Sequence, residues 1–439
     1  MKERVNDLIP PSGARVLTDA NLEKSAVGPG YSIIPLPAFT YNRNEGAWIG
    51  GLAAIFRANA KGEVEDIYAP LYLHNKLVGE TFTFNYYGYR GKSTQYHAIL
   101  SHATKVERVV DLSYKNSGAE DDYFIFGVQA NSAKSAFNRF YGFGNRVSDQ
   151  TETTYTMGDS NLKLTGGVNV TPNVAVFATE RYRVVTLENG VSPTLPQTTD
   201  KFPDAPGIDG ASVIGHGLTV SYDTRDNPLT PIHGSYGTLF GEYDQNLKFT
   251  ERIQWWRVTG EFRNYLPHAD DRMVLVTHAM IDGVVGQDEN TTLEDFIEQD
   301  TGLVDVNGNP IFQSVAAGKR VVRRGVPFYE RPTLGGETTL RAFGRGRFVS
   351  NVAILINIEE RISLVQKQIM GNVIEVELAP FLDAGRVGRS FTSEKIVSNM
   401  QFNPGIGLRV LARPNIAGRL DVGYGRDGAN VYVGLDYPF

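Results

Sequence analysis

The chain contains no cysteine. That removes disulfide bridges, thiolate metal sites and cysteine nucleophiles together. Long apolar runs are missing too: no stretch approaches about 18 consecutive apolar residues, the span a transmembrane helix needs. The seven histidines form no H-E-x-x-H pair, and there is no G-x-S-x-G nucleophile elbow. Positive charge is not in excess either; the formal net charge is −6, which disfavours a nucleic-acid partner. The basic opening, Met1–Leu17, lacks the apolar core of a secretory signal. What is plentiful is Tyr (21), Phe (23) and Gly (46) in 439 residues. Aromatics and glycine without long apolar runs suit strands that alternate between two environments, as in a transmembrane barrel.

Residues 1–30 are polar and Pro-interrupted, and are expected to form an N-terminal periplasmic segment ahead of a barrel over 31–439. From Tyr31 onward the chain alternates strand and turn, with roughly sixteen to eighteen candidate strands of about 9–13 residues, near bilayer-crossing length. The longest irregular stretch is expected at about 286–349. Alternation is sharpest in the C-terminal third. Ile354, Ile356 and Ile358 oppose Asn357 and Glu359, with Leu355 an exception. Ile374, Val376, Leu378 and Leu382 oppose Glu375, Glu377 and Asp383; Ile406, Leu408 and Val410 oppose Gly405, Gly407 and Arg409. Leu420, Val422 and Tyr424 oppose Arg419, Asp421, Gly423 and Gly425. In the last segment Val431, Val433, Leu435, Tyr437 and Phe439 share one face. A soluble sandwich and a membrane barrel both produce such a pattern. Charges on the polar face of five successive strands, and a pattern that runs to Phe439 itself, favour the closed barrel, which has no edge to protect.

Signals for chemistry are poor. Gly91–Lys92–Ser93 resembles the end of a phosphate-binding loop, but Tyr86 holds the position of its first glycine. Asp305, Asn307 and Asn309 have calcium-loop spacing, yet Gly308 is misplaced and the distal Glu is missing. No catalytic residue, cofactor or metal is expected. The chain is read as a non-enzyme.

The informative stretch is Leu334–Gly344, LGGETTLRAFG, inside the long loop. It is a Gly-flanked turn presenting Arg341 beside Phe343. If this loop enters a barrel, Arg341 needs carboxylates, because a desolvated unpaired guanidinium is costly. Glu359 and Asp383 lie at inward positions of the following strands, and the planar fork of Arg suits two carboxylates. The first strand carries Pro35 and Pro37, whose missing N–H groups fall on one edge. That edge is expected to face the last strand, 429–439, with Tyr437, Pro438 and Phe439, and to form a weak seam.

Four stretches together resemble the BamA/TamA-type outer-membrane assembly-factor superfamily, the bacterial surface antigen family. LRAFG is similar to its V-R-G-F loop motif, and Phe381–Gly385 to its aromatic-x-Asp-x-Gly strand motif. Tyr222–Pro228 with Pro231 and Gly234 resembles its strand-turn signature, and Phe140–Asn145 another of its loops. Phe439 matches the terminal aromatic of outer-membrane barrels. The resemblance implies a sixteen-stranded antiparallel transmembrane β-barrel whose long extracellular loop folds into the lumen. There Arg341, with Phe343 and Gly344, would lock onto Asp383, Glu359 and Gly385. Ala342 stands where the family has Gly, and a Cβ there is strained if φ is positive. Family members carry POTRA domains before the barrel; residues 1–30 are too few for one. The implied function is insertion or translocation of polypeptides at the bacterial outer membrane through the first–last strand seam. The alternative is a passive channel or a membrane anchor for a partner. Expected partners are outer-membrane lipid and lipopolysaccharide, barrel-assembly machinery and client outer-membrane proteins.

Overall fold

The computed structural model describes residues 30–60, 64–90, 93–118, 123–227, 230–248, 253–286, 289–304, 310–369, 372–391, 399–413, 415–434 and 437–439. Six short strands come first: β1 (Gly30–Asn42), β2 (Gly46–Ala58), β3 (Val64–Asn75), β4 (Gly79–Arg90), β5 (Thr94–Ala103) and β6 (Arg108–Asn116). Seven follow: β7 (Phe124–Phe140), β8 (Thr153–Thr171), β9 (Val174–Asn189), β10 (Ala211–Asp223), β11 (Gly234–Asn246), β12 (Ile253–His268) and β13 (Met273–Gly286). A hairpin, β14 (Glu289–Val304) and β15 (Pro310–Arg324), and a two-residue pair, β16 (Thr333–Leu334) and β17 (Phe348–Val349), come next. The chain then runs through β18 (Val352–Ile369), β19 (Asn372–Gly388), β20 (Gln401–Arg413), β21 (Asn415–Gly425) and β22 (Gly428–Gly434).

Strands β1–β13 and β18–β22 form one antiparallel sheet that closes where β22 meets β1. The barrel therefore has eighteen strands, not sixteen. The number follows from the chain's own hairpins: residues 30–116 alone hold six strands of 9–13 residues, separated by short turns.

The sheet is inside out. Ile356, Ile358, Leu382, Leu408, Val410 and Tyr424 are exposed, while Asn357, Glu359, Asp383, Arg409, Asp421 and Arg419 are buried. Period-two alternation sends one set outward and the other inward. A packed polar interior under an apolar exterior is the polarity of a lipid-solvated barrel.

Two expectations need correcting. The stretch 286–349 is not irregular throughout, because β14 and β15 pair over most of their length with two register shifts. Their apolar residues fall next to each other, as in Phe296–Ile297 and Val321–Val322, which hides the period-two signal. The last strand is also shorter than 429–439. It stops at Gly434, and Tyr437, Pro438 and Phe439 are buried instead of lying on the apolar outer face. Partners inside explain this: the Tyr437 hydroxyl donates to Glu377 at 2.8 Å, and Phe439 stacks on His278 at 5.0 Å.

The exterior assignment is testable. Leu408→Arg places a cation mid-strand on the outer face and should cost about 2–4 kcal/mol of folding stability in a bilayer. Urea titration of the protein folded into lipid vesicles checks this; a loss below about 0.5 kcal/mol would contradict a lipid-facing Leu408.

Candidate functional site

Arg341 lies in the segment between β15 and β18 and is fully buried. Its Nε and Nη2 donate to the two Asp383 oxygens at 3.0 and 2.8 Å, and its Nη1 donates to Glu359 at 2.6 Å. Its backbone N–H reaches the same Asp383 at 3.0 Å. The guanidinium lies over the Phe381 ring, 3.4 Å from the centroid. Thus Arg341, Glu359 and Asp383 meet as a two-pronged ionic contact, the geometry for which Arg is suited and Lys is not.

More groups complete the cluster. Arg409 bridges Glu359 at 3.2 Å and Asp421 at 2.8 Å. Arg361 reaches Glu359 and Arg419 reaches Asp421, each at 3.2 Å. Asn357 donates to Asp383 at 2.7 Å and to the Thr339 carbonyl at 2.8 Å. Mutual neutralisation is what makes so many buried charges tolerable. Around Arg341, desolvation works against the cation, but Asp383 and Glu359 keep it firmly protonated.

The tip needs room, and glycines supply it. A Cβ on Gly423 would sit 2.9 Å from the Ala342 nitrogen, and one on Gly425 would sit 2.9 Å from the Ala342 Cβ. Gly385 lies under Leu334 and Leu340, and Gly344 meets the Asn44 side chain. Ala342 itself is not strained. Positive φ among non-glycine described residues is confined to Val106, Ala269, Asp270, Asp271 and Asn399. Phe343 packs edge-on against Phe348 at 4.8 Å. Leu355, the exception in its strand, joins them with Leu334 and Leu340 in an apolar cluster.

The Phe140–Asn145 stretch belongs to this site. Phe140 meets Phe328 at 4.6 Å, and Gly144 donates to the Val349 carbonyl at 2.8 Å. Tyr222–Pro228 has another role: Asp223 and Asp226 accept backbone N–H groups and fix the β10–β11 turn. Pro228 itself lies outside the described residues, as do Asp305, Asn307 and Asn309.

A second anchor went unread in the sequence. Glu330 accepts from Arg183 at 2.8 Å and from Arg181 at 3.3 Å, and lies 3.2 Å from Arg257. Arg181 also pairs with Glu242 at 3.1 Å and Asp244 at 2.6 Å. Burial pushes the Glu330 carboxyl up, but the three arginines outweigh it and hold it down at about 2. The same segment is therefore pinned to β18–β19 through Arg341 and to β9 and β12 through Glu330.

At the junction of first and last strands, Tyr41 pairs with Val433 and no other β1–β22 pair occurs among the described residues. Pro35 and Pro37 are exposed and lie opposite Ala53 and Gly51 in an unbroken β1–β2 register.

A family model for the Omp85 superfamily domain matches residues 89–428. The chain belongs to the Omp85 superfamily. Its fold resembles that of BamA from Haemophilus ducreyi lacking POTRA domains 1–3, with a TM-score of 0.51 at 15% identity, covering 93% of this chain and 70% of that one. CdiB from Acinetobacter baumannii and CdiB from Escherichia coli give TM-scores of 0.43 and 0.45, each at 11% identity over 93% of this chain and 60% and 62% of theirs. A search of curated protein sequences found no match. The matched region of this Omp85 chain begins within β4, so β1–β3 lie before it.

Arg341→Ala leaves Asp383 and Glu359 buried without their main partner, a loss of about 3–5 kcal/mol. Residues 326–350 should then become protease-sensitive in the folded barrel, and unchanged protection would show that the contact holds nothing. The Glu330 anchor carries a pH signature. Its carboxyl is depressed on folding, so its contribution is complete above the unfolded value of about 4.3. It is lost as pH falls through the folded value of about 2. Trp255 packs beside Val326 and Tyr329, so its emission in a Trp48→Phe, Trp256→Phe background should shift in that acid window. Glu330→Gln should abolish the transition.

Proposed function

We propose that this Omp85 barrel works at the bacterial outer membrane, inserting or translocating polypeptides through the β1–β22 junction. The observation that carries the reading is the thinness of that junction. Among the described residues one pair joins β1 to β22, against seven between β21 and β22 and thirteen between β1 and β2. Prolines cannot donate, and Pro35 and Pro37 share the strand parity of Tyr41, the residue that meets Val433, so their missing N–H groups are read as lying on the β22 side. Residues 31–40 then present a strand edge with gaps in its donors, next to lipid. Such an edge can accept a client strand by pairing, with no covalent chemistry.

The segment 326–350 is read as the extracellular loop lying in the lumen, with Arg341, Phe343, Gly344, Glu359, Asp383 and Gly385 as its lock. Its contacts with inward side chains of β18–β22 support this. Client outer-membrane proteins, assembly machinery and outer-membrane lipid or lipopolysaccharide are the partners this reading requires.

The test is reconstitution in liposomes with an unfolded barrel client, recording client folding and conductance together. Faster client folding that disappears when Tyr41→Cys and Val433→Cys are oxidised across the junction is the expected result. A chain without native cysteine makes that bridge unambiguous. Large steady conductance with no effect on the client would favour a passive channel, and full activity with the junction bridged would remove the gate.

A further inference from the structure

The segment that carries Arg341 does more than dock on β18 and β19. It touches both hairpins that flank the thin junction. On the β1–β2 side, Arg345 pairs with Glu45 of the turn at 3.2 Å. The Asn44 side chain donates to the Arg345 carbonyl at 3.1 Å. A Cβ on Gly344 would come within 2.5 Å of the Asn44 Oδ1, so backbone and turn are in close approach. On the β21–β22 side, Arg347 pairs with Asp427 of the turn at 2.6 Å. The Tyr432 hydroxyl donates to the Phe343 carbonyl at 2.7 Å, and Asn430 reaches the same oxygen at 3.3 Å.

The register explains why a third party is needed there. Tyr41 opposes Val433 in an antiparallel pair, and β1 ends one residue later, at Asn42. Residues 428–431 of β22 therefore extend past the end of β1, where no strand of the first hairpin can pair with them. Asn430 and Tyr432 turn buried side chains to the 341–347 segment instead. Arg347 is almost fully buried and its partner Asp427 nearly so, while Arg345 and Glu45 are partly exposed. One hook is thus dry and the other wet.

We infer that residues 343–347 are a strap across the β1–β22 junction, holding its turn end closed through Arg345–Glu45 and Arg347–Asp427. Among the described residues no part of β22 pairs with 30–40 of β1, so opening runs from that end toward the strap. Release of either hook lets the single Tyr41–Val433 pair part. The strap rests on reading this junction as the opening site, but its own test needs no client.

The experiment is backbone hydrogen exchange on the whole protein in lipid nanodiscs, read at the Tyr41 and Val433 amides. Glu45→Gln and Asp427→Asn remove each hook's charge without changing its shape and leave the 341–347 segment untouched. Loss of one partly exposed ion pair should raise exchange at these amides about three- to fivefold. Asp427→Asn should do at least as much, and the double variant should multiply the two effects. Added salt should mimic Glu45→Gln and leave the buried Asp427 hook alone. Exchange in β10 and β11, far from the strap, should not change. Unaltered exchange at Tyr41 and Val433 in both variants overturns the strap, as does an equal rise in every strand. If Asp427→Asn fails to give a folded barrel, Glu45→Gln with its salt dependence decides alone. A strap confirmed this way, in a protein whose bridged junction still supports full client insertion, would stand while the proposed function falls.

Discussion

One guanidinium organises this molecule. Arg341 spans two carboxylates on adjacent strands, and nearly everything else in the interior is arranged so that the contact can exist. The barrel wall turns its charged face inward, so Glu359, Asp383 and Asp421 would repel one another if no cations entered. Arg361, Arg409 and Arg419 come from the wall itself; Arg341 comes from outside the sheet. That difference matters, because Arg341 is the member of this cluster that the connecting segment itself contributes, and it ties that segment to the strands. Removal of one member strands the others in a low dielectric, where unpaired charge is expensive. The cluster is therefore a specifier of position before it is a source of stability.

Small residues are the counterpart of those charges. Gly385, Gly423 and Gly425 occupy inward positions where any side chain would collide with the Leu334–Phe343 tip. Beside them, Ala353, Leu355 and Val387 of the strands form an apolar patch against Leu334, Leu340 and Phe343 of the tip. Charge fixes the orientation of the segment and shape excludes alternatives. Glu330 adds a second fixed point, on β9 and β12, so the segment cannot pivot about Arg341.

Much of this could be read from the residues, and the remainder could not for identifiable reasons. Arg341, Glu359 and Asp383 were legible because an Arg in a Gly-flanked turn of the long loop faces a strand pattern that places carboxylates inward. Leu355 already broke that pattern, and its meaning became clear only with the segment packed against it. Glu330 carried no sequence signal, since its partners lie 73 to 149 residues away. The number of strands was misjudged by resemblance, whereas the hairpins of residues 30–116 already allowed eighteen. Tyr437 and Phe439 fit an outward alternation, but period-two logic cannot register partners such as Glu377, Arg361 and His278 waiting inside. Aromatics at the end of a strand pattern are compatible with either side of the wall.

The hairpin of β14 and β15 pairs with no barrel strand among the described residues. At about 3.3 Å per residue, its 16- and 15-residue strands make an arm close to 50 Å long. Its root runs within two residues of Val326 and six of Glu330. A small lateral force at the tip of such an arm is multiplied by leverage before it reaches the arginine cluster that holds Glu330. Contacts made near the tip of the hairpin thus act on the arginine cluster with mechanical advantage, through the backbone that also carries Arg341.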